Sequence, residues 1–435
     1  MTLKIKQKWG LIFLLVVSLV YVLIHFIEIY SSSDKVTEIY FADRITKAHK
    51  ILIDRYNLKM AGKVRVIPID FPNFDFSTNE RKELLARSLR GRGDGIDLFA
   101  VDLVWVQRFA KWCEPLDKYF TDEERSRILS SALESCYYDG ELVAMPLDLV
   151  QGIMYYREDL IKQSENSDEI IDQLQNYITW EDFLLLKNKL PANPFYIFPA
   201  AEYEGLICSF MEMILSIKPD YFVEYGFNFN TDEAKKSLQF LVDLINKYGA
   251  TPKIASEFTE IPSYEYFIKN DALFIHGWVS YDKDFEESPF DLEKQKKLRK
   301  APLPHFKDGK PTSVFGGWNL MVSKFSDKKE EVVHFIKFLL SNDSQELFYE
   351  QSGFYPVINK IYDDQFYIKK FPEIHKSKDI IKTGVHRPSH VEYTRYSEIM
   401  SHFFGMAIRK EISVEESLEK TTNNIQFEKV IPKEF

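Results

Sequence analysis

Short apolar runs of strand length alternate with amphipathic stretches of helical length along most of this 435-residue chain. Residues 36–41, 64–69 and 96–101 have the composition of strands, and the stretches 46–56 and 81–89 between them carry apolar residues at helical spacing. The run 96–101 is apolar throughout, as in a strand that is buried on both faces. Strands that alternate with helices predict an α/β fold with a mostly parallel sheet.

The same alternation starts again after residue 150, which indicates a second α/β region. Its predicted elements are a strand at 152–156, helices at 180–190, 203–217 and 231–248, a strand at 272–275, and a mainly helical segment from 327 to 435. The length allows two or three domains of roughly 100 to 200 residues each. No linker rich in Pro, Gly or Ser separates the two regions, so we expect two lobes that exchange chain segments.

The N-terminus carries a basic start and one apolar run. Lys4, Lys6 and Lys8 precede residues 11–27, which are apolar except for Ser18 and His25. This run is close to the roughly 17 to 25 residues of a spanning helix and is longer than the core of most cleaved signals. We therefore expect residues 1–33 to form a signal anchor with one transmembrane helix, and the preceding lysines place the rest on the outer face of the cytoplasmic membrane. Release by cleavage near Ser33 is the alternative.

Charge, cysteines and histidines exclude several classes of function. The chain has a net charge of -10, and residues 1–33 contribute +2, so the exported part carries -12 and nucleic acid is not expected as a partner. Cys113 and Cys136 flank one short segment and Cys208 stands apart, so the sequence allows one disulfide, Cys113–Cys136, or three free buried thiols. The nine histidines show no metal-ligand spacing, and we expect neither a metal nor a cofactor.

Several local motifs, taken in order, resemble family 1 of the extracellular solute-binding proteins, which serve carbohydrate ABC importers and include maltose/trehalose-type and glycerol-phosphate-type binding proteins. The resemblance extends from about Ile39 to Thr422. Its motifs are Asp97-Leu98-Phe99-Ala100-Val101-Asp102 with Trp105; Asp139-Gly140 before Ala144-Met145-Pro146; Gly152-Ile153-Met154-Tyr155-Tyr156-Arg157-Glu158-Asp159-Leu160; Thr179-Trp180-Glu181-Asp182-Phe183; Phe315-Gly316-Gly317-Trp318-Asn319-Leu320; and Arg387-Pro388 followed by Tyr393 and Ser397.

This resemblance implies a two-lobed periplasmic-binding-protein fold with a ligand cleft between the lobes, closure on binding, and delivery to ABC permease subunits. We assign residues 34–147 and roughly 272–320 to the N-terminal lobe, and 148–271 and roughly 321–435 to the C-terminal lobe. The chain departs from the family pattern in its apolar anchor and in the segment 190–201, which is rich in Pro and Phe.

A sugar site needs aromatic faces for the C–H side of the ring and carboxylates, amides or guanidinium groups for its hydroxyls. Trp318 follows Gly316 and Gly317, where missing Cβ atoms would let the backbone approach a ligand. Trp278 follows another predicted strand and is a second candidate wall. Either tryptophan is also consistent with ordinary core packing.

Polar candidates for the same site come from motif positions and strand ends. Asp43 and Asp102 follow predicted strands, where open α/β sheets bind ligands. Asp148 and Tyr155 are placed in the cleft by the resemblance, and Arg387 would donate to ring or glycosidic oxygens. The structural alternatives are a helix cap or turn for the carboxylates and a surface ion pair for Arg387, and Tyr156 is as well placed as Tyr155.

The predicted function is therefore the substrate-binding component of an ABC importer that captures a sugar or oligosaccharide and is not an enzyme. A tethered receptor that presents ligand to a membrane sensor would fit the anchor equally well. An enzyme, for example an exported glycoside hydrolase, is the second alternative. No local pattern indicates the acid and nucleophile pair that such an enzyme needs, and the chain contains no other catalytic motif that we recognise.

Overall fold

The computed structural model describes residues 17–21, 36–71, 78–190, 194–284 and 291–426. Within those ranges no helix combines the length and the apolar character needed to cross a bilayer. Most of the predicted anchor, residues 11–27, lies outside the described ranges.

The described strands form two main sheets and one small hairpin. They are β1 (Thr37–Asp43), β2 (Val64–Asp70), β3 (Leu98–Asp102), β4 (Tyr137–Tyr138), β5 (Glu141–Leu142), β6 (Met145–Pro146), β7 (Val150–Arg157), β8 (Tyr196–Ile197), β9 (Phe274–Trp278), β10 (Leu298–Ala301), β11 (Ser313–Gly316), β12 (Trp318–Val322) and β13 (Gly384–Val385).

The first sheet has the strand order β2-β1-β3-β12-β6. β1 is parallel to β2 and β3, whereas β12 is antiparallel to β3 and β6. The central strand β3 is buried from Leu98 to Val101, as its apolar sequence predicts. β2 alternates between buried and more exposed residues and contains Pro68, which suits an edge strand because proline cannot donate a ladder hydrogen bond.

The second sheet has the order β13-β11-β7-β9-β8, with β10 also paired to β7. β7 is antiparallel to β9, β10 and β11, so this sheet is mixed. The mostly parallel sheet that the sequence predicts is not formed here. The long strand β7 is buried over nearly its whole length. The small hairpin joins β4 to β5 through Asp139 and Gly140, which both have positive φ angles of 49° and 83°.

The α-helices are α1 (Lys47–Lys59), α2 (Thr78–Arg90), α3 (Val106–Phe109), α4 (Asp122–Ser126), α5 (Ser130–Leu133), α6 (Glu158–Ile161), α7 (Ser167–Gln175), α8 (Trp180–Lys189), α9 (Glu204–Ile217), α10 (Tyr221–Tyr225), α11 (Asp232–Asn246), α12 (Glu260–Lys269), α13 (Tyr281–Asp284), α14 (Leu292–Gln295), α15 (Lys329–Leu339), α16 (Asn342–Ser352), α17 (Lys360–Asp363), α18 (Gln365–Lys370), α19 (Pro372–Ile381), α20 (Tyr393–Ile408) and α21 (Val414–Gln426). The main helices predicted by periodicity are confirmed. Thr231 caps α11 by accepting from the Ala234 amide at 3.2 Å, as its position suggests.

Different helices pack beside each of the two sheets. α15 and α16 pack with α1 beside the first sheet, and α15 contacts β12. α9 contacts β11 of the second sheet and packs with α11 and α20, which in turn contact α21. Each sheet therefore has its own helical cover, and together they form the two-lobed α/β architecture that the sequence predicts.

The strand pairing corrects the predicted division of the chain. Residues 272–320 were expected in the N-terminal lobe, but β9, β10 and β11 belong to the second sheet and only β12 joins the first. Residues 329–352, expected in the C-terminal lobe, pack with α1. A strand such as Phe274–Trp278 is apolar enough for any sheet interior, and only its pairing with β7 decides which sheet it enters.

The three cysteines are free and buried, so the Cys113–Cys136 disulfide is not formed. The Cys113 thiol donates to the Phe109 carbonyl at 3.2 Å, and the Cys136 thiol donates to the Ala132 carbonyl at 3.7 Å. Burial raises the pKa of all three thiols above the ordinary value. They are consequently held in the protonated, unreactive form.

Candidate functional site

Two chain segments lie side by side where the sheets meet, and we refer to residues 147–149 and 316–318 as the crossing. Asp148 and Leu149 connect β6 to β7, and Gly317 connects β11 to β12. The Trp318 amide donates to Asp148 Oδ1 at 3.2 Å, and the Leu147 amide donates to the Trp318 carbonyl at 2.8 Å. Asp148 is buried. Its carboxylate therefore ties the two segments of the crossing together.

The glycines of the crossing are required by close backbone approach. Gly317 has a φ of 132°, and a Cβ atom there would lie 2.6 Å from the Asp148 carbonyl oxygen. A Cβ atom on Gly316 would lie 2.8 Å from the Val150 side chain and 3.4 Å from the Trp278 ring. These glycines thus leave room for the backbone of Asp148 and for the side chains of Val150 and Trp278. Their predicted approach to a ligand stays a prediction.

Trp318 is the first residue of β12 and is partly exposed. The guanidinium carbon of Arg81 lies 4.1 Å from the centre of its ring, which is a close cation–π contact. One face of the predicted stacking platform is therefore already covered by protein. A ligand would use the remaining exposed part of the indole.

Asp43 lies at the end of β1 as predicted, but it is buried and engaged with the side chains of Arg81 and His49. Its Oδ1 accepts from Arg81 Nη2 at 2.8 Å, and its Oδ2 lies 3.2 Å from His49 Nε2. Because Arg81 stacks on Trp318, Asp43 acts on the platform through Arg81. Sequence reasoning missed Arg81, which lies in a charged helical stretch where nothing local distinguishes it from a solvated arginine.

Trp278 ends β9 and is partly exposed, and its predicted place on a cleft wall stays a prediction. Tyr155 is buried behind it, and its hydroxyl lies 3.1 Å from the Trp278 carbonyl and 3.0 Å from the Val279 carbonyl. Its ring stacks on Tyr281 at 6.1 Å. Burial raises the pKa of Tyr155 well above its ordinary value. The structure thus brings Tyr155 against the backbone that supports Trp278, and Tyr156 is buried as well.

Asp102 and Arg387, both predicted as ligand contacts, bind each other. Arg387 Nη2 donates to Asp102 Oδ1 at 2.6 Å. Asp102 Oδ1 also accepts from the Val104 amide at 3.0 Å and so caps the turn that follows β3, which is the structural alternative that the sequence allowed. Burial raises the pKa of Asp102, although Arg387 opposes this shift.

Glu204, at the start of α9, completes this cluster. Its Oε1 accepts from Arg387 Nη1 at 2.9 Å and from the Tyr393 hydroxyl at 2.6 Å, and its Oε2 accepts from Ser397. Burial lowers the pKa of Arg387, but Asp102 and Glu204 outweigh it and the pKa lies well above its ordinary value. Sequence reasoning missed Glu204, although Tyr393 and Ser397 were in the motif that carried the resemblance.

The described residues contain no group of three or more His, Cys, Asp or Glu side chains arranged to hold a metal ion. The arrangement at the crossing is instead two partly exposed tryptophans, with the ion pairs Arg81–Asp43 and Arg387–Asp102 beside Trp318. Such a combination suits recognition of a ligand by stacking and hydrogen bonding.

The fold and this junction define a two-lobed solute-binding protein. A family model for bacterial extracellular solute-binding proteins matches residues 77–374, and the chain belongs to that family. The family consists of binding proteins and not of enzymes. A probable ABC transporter-binding protein from Deinococcus radiodurans is 25% identical over 339 residues, which cover 75% of this chain and 77% of that protein.

Solved structures share the fold. The maltose-bound MalE3 of T. maritima aligns with a TM-score of 0.76 at 23% identity and covers 90% of this chain and 100% of its own. A Thermotoga lettingae ABC transporter solute-binding protein bound with α-D-tagatose aligns with a TM-score of 0.74 at 21% identity over 90% of this chain and 98% of its own. An Agrobacterium vitis solute-binding protein with bound D-mannitol aligns with a TM-score of 0.70 at 19% identity and covers 89% of this chain and 97% of its own.

Proposed function

We propose that this protein is the substrate-binding component of an ABC importer and captures a sugar or oligosaccharide outside the cytoplasmic membrane. Membership of the extracellular solute-binding family supports the binding role. The relative from Deinococcus radiodurans is described as a probable ABC transporter-binding protein, and proteins of the same fold hold maltose, tagatose and mannitol. These names support a polyhydroxylated ligand and a permease partner for this chain.

The observation that carries the proposal is the pair of tryptophans at the junction of the sheets. Trp278 ends β9 and Trp318 begins β12, and both are partly exposed. The Trp278 ring packs against the position of Gly316, which is two residues from Trp318. Exposed indoles near each other at a lobe junction are suited to stacking on the C–H faces of sugar rings.

The charges around the junction favour an uncharged ligand. Arg81 is paired with Asp43, and Arg387 is paired with Asp102 and Glu204. An anionic ligand such as a glycerophosphodiester would have to displace a buried carboxylate from its arginine, and a cationic polyamine would have to compete with the arginines themselves. A neutral polyol or sugar can use the remaining lone pairs and N–H groups without breaking these pairs.

The N-terminal segment completes the proposal. We infer that residues 11–27 anchor the protein in the cytoplasmic membrane, because the run is long and apolar and follows three lysines. The binding lobes would then work close to the permease. If the inference is correct, protein extracted from membranes with detergent keeps its N-terminal Met, and N-terminal sequencing checks this. A mature N-terminus near Ser33 or Asp34 would contradict the anchor and leave the binding role intact.

The binding role is tested by a thermal-shift screen of the detergent-solubilised full chain against mono- and oligosaccharides, polyols, glycerophosphodiesters and polyamines. A ligand at 100 times its dissociation constant adds about 2.7 kcal/mol of stability. We expect a sugar or polyol to raise the midpoint and to be recovered unchanged. A sugar that is recovered cleaved would indicate a glycoside hydrolase, and stabilisation by a charged ligand alone would refute the neutral class.

A further inference from the structure

We propose that Asp102, Arg387 and Glu204 form an interlobe latch, and that this latch sets ligand affinity by stabilising the closed arrangement of the lobes. This inference rests on the proposed ligand-binding function. It assigns Asp102 and Arg387 a role different from the direct ligand contacts that the sequence predicts, and it adds Glu204 as a positioning residue.

The three side chains come from both lobes. Asp102 is the last residue of β3 in the first sheet. Arg387 follows β13, which pairs with β11 in the second sheet, and Glu204 begins α9, which packs on that strand. The contact between Asp102 and Arg387 therefore joins the lobes, whereas the contact between Arg387 and Glu204 lies within the second lobe and holds the guanidinium in position.

The geometry of the latch is tight. Arg387 has an exposed side-chain fraction of only 3% and donates to Asp102 at 2.6 Å and to Glu204 at 2.9 Å. Tyr393 and Ser397 donate to Glu204 from α20, so the carboxylate that orients Arg387 is itself fixed. A charge-assisted pair of this kind is lost when its donor and acceptor move apart by more than about 1 Å, since hydrogen bonds weaken steeply beyond about 3.5 Å.

The residue before the latch makes a second contact across the lobes. His386 Nε2 lies 2.6 Å from the carbonyl oxygen of Ser131 in α5, and its ring packs on Phe315 in β11 of the second sheet. The segment that carries Arg387 is thus held against the first lobe at two adjacent positions. This contact involves a backbone acceptor and would survive substitution of Asp102.

The energetic consequence follows from burial. If Asp102 is neutralised, the closed form keeps Arg387 buried with one carboxylate instead of two, whereas in an opened form water can solvate the guanidinium. The change therefore penalises closure specifically. For a protein that binds ligand only when closed, the apparent dissociation constant rises in proportion as the closed fraction falls.

A latch and a ligand contact predict different results across a set of ligands. A closure penalty is independent of the ligand, so it weakens every ligand by the same factor. A direct contact weakens only ligands that carry the contacted hydroxyl. Direct contact is a real competitor, because Arg387 Nε is buried and has no acceptor within the described part of the chain.

The first variant is Asp102→Asn, because Asn also caps the turn after β3 and so preserves the local structure. The matched control is Asp271→Asn. Asp271 binds Arg157, a buried arginine that is also held by Asp159. Arg157 and Asp159 are two residues apart in the chain and belong to the second lobe. The control removes a carboxylate from a buried arginine without touching the contact between the lobes. Arg387→Lys is a second variant, which retains the charge but cannot reach both carboxylates with a planar fork.

Closure is measured in the absence of ligand, as the distance between two spin labels in the detergent-solubilised full chain, by double electron–electron resonance. Spin labels are attached at Leu58→Cys in α1 and Val223→Cys in α10, which are 81% and 90% exposed and lie on different lobes. The native cysteines are buried and should remain unlabelled. Affinity for each ligand that stabilises the protein is measured in parallel by calorimetry.

We expect Asp102→Asn to shift the ligand-free distance distribution towards longer values and to weaken all ligands by one common factor of roughly 10- to 100-fold, the range for a lost hydrogen bond to a charged group. Arg387→Lys should lie between this variant and the native protein, and Asp271→Asn should change neither quantity. An unchanged distance distribution in Asp102→Asn, or a loss confined to some ligands, would overturn the latch. If no ligand binds the native protein, the proposed function fails while the distances still decide whether the latch exists.

Discussion

Gly317→Ala should destabilise the protein through the crossing. The backbone angle of 132° is in a region that residues with a Cβ atom rarely adopt, which costs about 1–3 kcal/mol. The added methyl group would also lie 2.6 Å from the Asp148 carbonyl oxygen, a backbone atom that cannot rotate away. Displacing a packed segment by this amount costs about 1–3 kcal/mol more. We therefore expect a total loss of about 2–6 kcal/mol in the free energy of unfolding.

The matched control is Gly140→Ala. Gly140 has a φ of 83°, and a Cβ atom there would meet nothing within 4 Å. Its cost should be the backbone term alone, about 1–2 kcal/mol. The assay is urea unfolding followed by circular dichroism and tryptophan fluorescence, with the slope compared between variants so that a change in the denatured state is detected. Equal losses in the two variants would refute the claim that the Asp148 segment excludes a side chain at position 317.

Three further predictions follow from the site and the core. Trp318→Ala should weaken ligand affinity by about 1–3 kcal/mol through lost stacking. Calorimetry tests this against Trp112→Ala, whose indole also has a cationic side chain, Lys111, over its ring but lies near the opposite end of β12. Equal effects of the two substitutions would argue against a platform. The three cysteines should not react with a thiol reagent in the folded protein. After unfolding in the absence of reductant, three thiols per chain should react, whereas reaction of a single thiol would reveal a disulfide. Arg157 lowers the pKa of Asp159 by hydrogen bonding, so this stabilisation is complete above about pH 4 and is lost as the pH falls through the folded-state pKa. Asp159→Asn should flatten the acid side of a curve of unfolding free energy against pH, and an unchanged slope would contradict this.

The sequence by itself determined the elements and the family. Apolar runs such as β3 and amphipathic stretches such as α11 follow from local periodicity, because each element must present an apolar face to a core. Local cap and turn chemistry was equally readable, as Thr231 and the Asp139-Gly140 turn show. The same motifs, in order, identified the solute-binding family that the family model also matches.

Only the tertiary structure decided which sheet each strand joins and which charges pair. β9 and β12 are both short and apolar, and they enter different sheets because of their long-range partners β7 and β3. Pairing energy comes from neighbours that are distant along the chain, so the sequence of one strand does not specify it.

The candidate site was predictable in part for the same reason. Trp278 and Trp318 could be proposed because aromatic residues at strand ends are visible in the sequence. Both are partly exposed at the junction, and their contact with a ligand stays a prediction. That Asp102 meets Arg387, and that Glu204 orients it, depends on contacts across 285 and 183 residues of chain. An isolated carboxylate or guanidinium has the same local signature whether it binds a ligand, caps a helix or closes an ion pair, and its partner is fixed only when the lobes come together.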